Sequence, residues 1–203
     1  MQLSNKLAVF NITKFRTKGQ LLTLSGVSGS GKSTLIKDLL QSDMGFEKLA
    51  SATTRARRDG EIDGIDQHFL TLDEFEYLGQ NKELALACEV FGNYYAFLRD
   101  DLGKLEKGKN LITEYYHAML SAFKEQFPDS LSAYIYPNNI NTPLIELDKR
   151  ETPSTELEKR KLAIFNELSW VSKNAHMFDL IHTNNYDEES KSRFKGLLKE
   201  HLN

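Results

Sequence analysis

Cysteine is almost missing from this chain of 203 residues, for Cys88 stands alone. No internal disulfide can form, which fits a reducing compartment and a cytoplasmic protein, and the lone thiol is expected to serve as a small buried apolar group. No apolar run approaches the length of a membrane span. Neither sign of charge dominates: 26 Lys and Arg stand against 29 Asp and Glu, a net charge of -3. That balance excludes a globally basic surface for nucleic acid, so any anion site must be local. His68, His117, His176, His182 and His201 fall in different segments with no metal-ligand spacing. They read as structural or exposed, with His68 and His117 the two nearest the candidate acceptor residues. Internal repeats, low-complexity tracts and long linkers are also lacking, so residues 1–203 read as one enzyme-sized domain, a monomer or a homodimer.

The first twenty residues carry Lys6, Lys14, Arg16 and Lys18 and no acid. Such a bias is shared by organelle-targeting segments. The favoured reading packs Leu7-Ala8-Val9-Phe10 and Ile12 against the core as an extra strand or turn, with the cations in water.

What is present begins with Gly26-Val27-Ser28-Gly29-Ser30-Gly31-Lys32-Ser33, the phosphate-loop pattern G-x-x-x-x-G-K-[ST], followed by Thr34. It lies between the apolar run Leu21-Leu22-Thr23-Leu24 and a helix-like stretch from Thr34 to Leu40, the strand-loop-helix context that the pattern needs. Backbone amides of Gly26, Ser28, Gly29, Ser30, Gly31 and Thr34 can turn toward phosphate oxygens, and the next helix presents the positive end of its dipole. Lys32 supplies a compact charge and Ser33 a hydroxyl for Mg2+. The implied ligand is a nucleotide such as ATP.

Strand 21–25, the loop and a helix over 32–41 open a βα unit, the start of a parallel sheet, and Gly45 stops the helix. Residues 49–58 read as extended and then strongly basic, with turns at Asp59-Gly60 and Asp63-Gly64. His68-Phe69-Leu70 restarts a short strand, and a helix runs from Leu72 to about Leu78. Two apolar stretches between Leu84 and Phe97 flank Gly92-Asn93 and predict a hairpin in a small subdomain. Gly108 to Glu114 reads as a buried strand ending in an acid, and Ala133-Tyr134-Ile135-Tyr136 as another, stopped by Pro137. Thr155 and Glu158 are spaced as a capping box for a long helix whose face carries Leu157, Ile164, Leu168 and Val171. A last strand over 179–184 precedes a helix from about Asp187. The predicted class is α/β: a phosphate-loop NTPase type of parallel sheet flanked by helices, with a small subdomain around the hairpin.

Arg55 and Arg58, three residues apart on Gly-rich turns, can grip one phosphate through planar bidentate forks. They make a second phosphate site beside the first, an arrangement for transfer between two phosphates. The block from Ser51-Ala52-Thr53-Thr54-Arg55 through Gly60-Glu61 and Gly64-Ile65-Asp66-Gln67-His68-Phe69 resembles the guanylate kinase signature S-x-T-T-R-x-x-R-x-G-E-x-x-G-x-D-Y-x-F. Gly92-Asn93-Tyr94-Tyr95, the strand ending at Glu114, and Tyr134-Ile135-Tyr136-Pro137 also match that family, and the resemblance covers about residues 20–200. It implies a core at about 20–50 and 98–203 with a small inserted acceptor-binding subdomain at about 51–97 and a lid at about 138–160, an acceptor site of Ser51, Arg55, Arg58, Gln67, Tyr95 and Glu114, lid arginines at Arg150 and Arg160, and Asn184 near the adenine.

The chain departs from the family at several of these places. Gln67 replaces a phosphate-binding tyrosine, though an amide can still donate a hydrogen bond. Of the four residues that read guanine in the family, only Ser51 is unchanged; Leu86 and Phe97 replace a glutamate and a serine, and Glu114 replaces an aspartate. Glu114, or Glu89 if the strand register shifts, is the candidate to substitute for the missing carboxylate. Tyr116 falls where the family has a second strand-end acid that helps to hold the water shell of Mg2+.

The resemblance implies ATP-dependent phosphoryl transfer to GMP or dGMP, with Lys32, Arg150 and Arg160 as catalytic charges and Mg2+ as the ion. Two other readings stay open on the sequence alone. One is a kinase of the same fold for another or modified nucleoside monophosphate or a ribose phosphate. The other is a non-catalytic module of the same fold that binds phosphorylated ligands. The partners implied are small nucleotides.

Overall fold

The computed structural model describes residues 17–149 and 154–202, with side chains of the 154–174 helix from residue 157 onward. Arg150, the N-terminal apolar stretch at 7–12 and the Thr155 cap lie outside the described residues. In chain order the elements are β1 (Leu21–Ser25), α1 (Lys32–Leu40), β2 (Phe46–Lys48), β3 (Ser51–Thr53), β4 (Gln67–Phe69), α2 (Leu72–Gln80), β5 (Leu84–Val90) and β6 (Asn93–Leu98). There follow α3 (Arg99–Glu106), β7 (Asn110–Glu114), α4 (Leu120–Gln126), β8 (Leu131–Pro137), α5 (Asn141–Asp148), α6 (Ser154–Asn174), β9 (Leu180–Asn184) and α7 (Glu188–Leu202).

Five strands form a sheet in the order β2-β7-β1-β8-β9. The β2 and β7 ladder is parallel, with Phe46 opposite Asn110, and so is that of β8 and β9, with Ala133 opposite Leu180. All five residues of β1 are buried, Thr23 and Ser25 with the three leucines, as in a strand covered on both faces. A second sheet has the order β4-β3-β6-β5. The expected α/β architecture, a parallel sheet flanked by helices, is thus the one found.

The contacts divide the described chain into two units, one of residues 17–22 and 46–130 and one of residues 23–45 and 131–202. In the first, β5 and β6 pack one side of their sheet against α2 through Ala52, Phe75, Leu84, Ala87 and Ala96. A larger cluster there gathers Leu49, Leu86, Phe97, Leu105, Phe123 and Phe127. In the second unit, Ile164 and Val171 of α6 are buried, with Leu157 and Leu168 half-buried along the face that the spacing predicted.

Two local features differ from the expected ones. The hairpin turns at Phe91-Gly92, one residue earlier than predicted, with φ of 51° and 75°. Two consecutive positive φ values make the mirror-image turn whose twist matches that of paired strands. Leu86, at φ 53°, lies in a register shift between Ala85 and Cys88, a β-bulge that sets two residues of β5 against one of β6. Helices α3, α4 and α5 and strand β2 were not expected from the sequence.

Candidate functional site

The phosphate loop belongs to the second unit and runs from the end of β1 into α1. Gly31 has φ 88° and caps α1, and a Cβ there would lie 2.3 Å from the Asn184 amide nitrogen. Both the backbone angle and the space demand glycine. Lys32 folds its ammonium back over the loop, donating to the carbonyl of Gly26, to that of Val27 at 3.0 Å and to Ser30 Oγ at 3.5 Å. Loop carbonyls therefore hold the charge at the mouth of the loop.

Behind the loop lies a polar cluster that the sequence did not reveal. Asn184, expected beside the adenine, is buried; its Nδ2 donates to the Ser30 carbonyl at 2.9 Å, and its Oδ1 accepts from the Tyr186 amide and from Ser190 Oγ. The structure thus puts this amide under the loop as a support. Tyr186 adds a bond from its hydroxyl to the Gly29 carbonyl at 3.1 Å. His182 Nε2 lies 3.0 Å from Ser190 Oγ, which also accepts the Asn185 amide at 3.1 Å and lies 3.1 Å from Asn184 Oδ1. Burial, helped by the Arg193 charge, pushes His182 down to about 4, so the ring is neutral at physiological pH. Arg160 lies half-buried on α6, while Lys149 and Lys161 pair with Glu146 and Asp148.

The predicted acceptor residues belong to the first unit. Ser51 stands opposite Gln67 of β4 on one side and Phe97 of β6 on the other; Thr53 stands likewise between Phe69 and Tyr95. Directly paired residues share a face, so Ser51, Gln67, Tyr95 and Phe97 lie on one side of this sheet. Arg55 follows β3 and reaches back along that side. Its Nη2 donates to Glu61 Oε1 at 2.8 Å and to Gln67 Oε1 at 2.9 Å, its Nη1 to the Ala56 carbonyl, and the guanidinium lies 5.5 Å from the centre of the Phe69 ring. Glu61 also accepts the Arg58 amide at 2.8 Å. Burial pushes the Glu61 carboxyl up, but the bonds from Arg55 and Arg58 outweigh it and hold it below the ordinary range. Sequence reasoning read Glu61 only as part of a signature, although it is the carboxylate that holds the Arg55 guanidinium and the Arg58 backbone.

The register decides which way two residues face. Cys88 opposes Tyr95, so Glu89 opposes Tyr94 and faces the side packed on α2, away from the acceptor residues. Glu89 therefore cannot take the place of a carboxylate at 86. His68 likewise pairs with Ala52 on that other side, where its Nε2 meets Asp101 Oδ2 at 2.8 Å. Leu86 and Phe97 are buried in the apolar cluster, where Phe97 meets Phe123 edge to face at 5.5 Å. Cys88 packs against the same cluster, and burial pushes its thiol up to about 12, as befits an inert apolar group. Glu114, half-buried at the end of β7, is the acid of this unit that the sequence named as a base contact.

Ser33 is exposed on the first turn of α1, and no group of three or more His, Cys, Asp or Glu side chains gathers among the described residues. A single hydroxyl beside a phosphate loop fits Mg2+ that arrives with a nucleotide, keeps most of its water and shares phosphate oxygens. Among the described residues no helix is long and apolar enough to cross a membrane.

The chain matches the family model described as guanylate kinase over residues 18–201. It is 38% identical to the guanylate kinase of Thiobacillus denitrificans over 146 residues, 71% of this chain and 70% of that one. With the guanylate kinase of Oceanobacillus iheyensis it shares 30% identity over 190 residues, covering 92% and 90% of the two chains. Its fold is similar to the crystal structure of guanylate kinase from Anaplasma phagocytophilum, with a TM-score of 0.68 and 28% identity over 91% of this chain and 87% of that one.

Proposed function

The chain belongs to the guanylate kinase family, and from that premise we propose how its residues carry ATP-dependent phosphorylation of GMP to GDP. It is a nucleoside monophosphate kinase with ATP as co-substrate, acting on small nucleotides. In this reading the second unit holds ATP through the amides from Gly26 to Thr34 and through Lys32. The first unit holds the acceptor, its phosphate on Arg55, Arg58 and Tyr95 and its base toward Ser51 and Glu114. An oxygen of the acceptor phosphate attacks the γ-phosphorus, the bond to the β–γ bridging oxygen breaks, and ADP leaves. That oxygen is already anionic near neutral pH, so the chain supplies position and charge and needs no nucleophile of its own. Lys32 exchanges loop carbonyls for phosphate oxygens when the nucleotide enters. Arg150 and Arg160 are assigned to charge on the transferring group, and Ser33 to a Mg2+ ion that neutralises phosphate charge when bound. The same acceptor contacts accommodate dGMP.

The observation that carries the assignment is the Lys32 ammonium held at the mouth of a complete glycine loop, together with Arg55 preset by Glu61 on the acceptor side. Lys32→Ala is expected to lower kcat for GMP by on the order of 10²–10³-fold, the scale of removing one preorganised charge from a transition state. The measurement is ADP release with GMP, dGMP, AMP, UMP and ribose 5-phosphate as acceptors. Full activity in the variant, or an acceptor that outpaces GMP, would overturn the assignment.

A further inference from the structure

Gln67 is the place where this chain replaces a tyrosine of its family, and its amide is engaged at both ends. Oε1 accepts from Arg55 Nη2 at 2.9 Å, and Nε2 donates to Ser51 Oγ at 3.2 Å. The orientation is forced, because the flipped amide would point two N–H groups at a guanidinium that has only N–H groups to offer. Its backbone is held as well: Gln67 pairs with Ser51 in the parallel β3 and β4 ladder, bridges to Asp63, and its carbonyl accepts the Gly64 amide at 2.8 Å. Four side chains join in a single run, Glu61 to Arg55 to Gln67 to Ser51.

We propose that Gln67 is a positioning residue, which locks the phosphate-gripping Arg55 and the base-facing Ser51 into one hydrogen-bonded unit without itself touching the acceptor nucleotide. The inference rests on the assignment of these residues to the acceptor. An amide suits the task better than an acid. Glu61 already balances the Arg55 charge, and a second carboxylate at 67 would cancel the attraction for an incoming phosphate, whereas a neutral oxygen fixes the guanidinium and leaves its charge in place. The amide nitrogen also occupies one lone pair of Ser51 and leaves the serine hydrogen to donate.

The test is calorimetric titration with GMP and, separately, with ATP and Mg2+. Gln67→Met keeps length and apolar bulk and removes both hydrogen bonds; it is expected to weaken GMP binding by about tenfold, the scale of one bond to a charged group, and to leave ATP binding within about twofold. Gln67→Glu keeps an acceptor for Arg55 and is expected to bind GMP more weakly than Gln67→Met. In an Arg55→Ala background, Gln67→Met should change GMP binding by at most about twofold, since the residue acts chiefly through Arg55. A full tenfold loss persisting in that background would mean direct contact with the nucleotide and overturn the proposal. Wild-type affinity in Gln67→Met would overturn it too. If the wild-type chain binds ATP but no GMP, the acceptor reading itself fails. A thermal midpoint for each variant shows that the chain is folded, and Gln67→Glu decides the question should Gln67→Met unfold.

Discussion

His182, Ser190 and Asn184 form a short relay in which each side chain is fixed by the next, ending at the Ser30 carbonyl of the phosphate loop. Whichever way the bond between His182 Nε2 and Ser190 runs, a charge on this ring would be buried beside Arg193, and that cost keeps His182 neutral. Burial and Arg193 depress the folded value to about 4, below the unfolded value near 6.5. The unfolded chain therefore takes up the proton first, and stability is fully present above pH 6.5. It falls as the pH drops from about 6.5 toward 4, by up to about 3 kcal/mol from this group. His182→Gln keeps a donor and cannot titrate, so urea unfolding at a series of pH values should show a flatter slope in that window. An identical slope in wild type and variant would show that His182 is not the group responsible.

At the scale of elements, the hairpin of β5 and β6 carries a strained turn that can be improved. Phe91 adopts φ 51° and is half exposed, while Asn before Gly is the pair that such a turn favours. Phe91→Asn should raise stability by about 0.5–1 kcal/mol, read as a higher urea midpoint with unchanged steepness; a lower midpoint would mean that the ring contributes more than the turn costs. The hairpin was legible because apolar residues flank a glycine; β1 and β8 were legible as mainly apolar segments bounded by a motif or a breaker, and α1 because it follows the phosphate-loop pattern. Strand β2 is three residues, Phe46-Glu47-Lys48, and exists through its pairing with β7, a partner about sixty positions away that no local pattern announces. Helix α3 comes after β6 with only Leu102 and Leu105 turned inward, too little apolar periodicity to find. Thr71 and Glu74 do form a capping box for α2, and that spacing could have been read. The candidate site was legible where one segment supplies it, as in the glycine loop and the arginine block. It was illegible where registers decide. Gln67 meets Ser51 through the ladder of β3 and β4, and Glu89 faces the wrong side because of a bulge at Leu86, a position where no glycine gives warning.

At the scale of the whole molecule, the residues assigned to the two nucleotides fall in different units. ATP with Mg2+ should slow amide hydrogen exchange at 26–34 and 182–190, and GMP alone should slow it at 51–69 and 93–97, each leaving the other set within about twofold. GMP protection confined to 26–34 would refute that division of labour. Each unit is also assembled from separated stretches of chain, and the phosphate loop bears the consequence. Ser30 and the Asn184 that supports it stand 154 residues apart. A chain made at about 5–20 residues per second reaches Asn184 roughly 8 to 30 s after Ser30. Over that interval the loop is complete as a peptide and unsupported as a site, so the nascent chain gains its full grip on nucleotide only once Asn184 has been added and folded back onto Ser30.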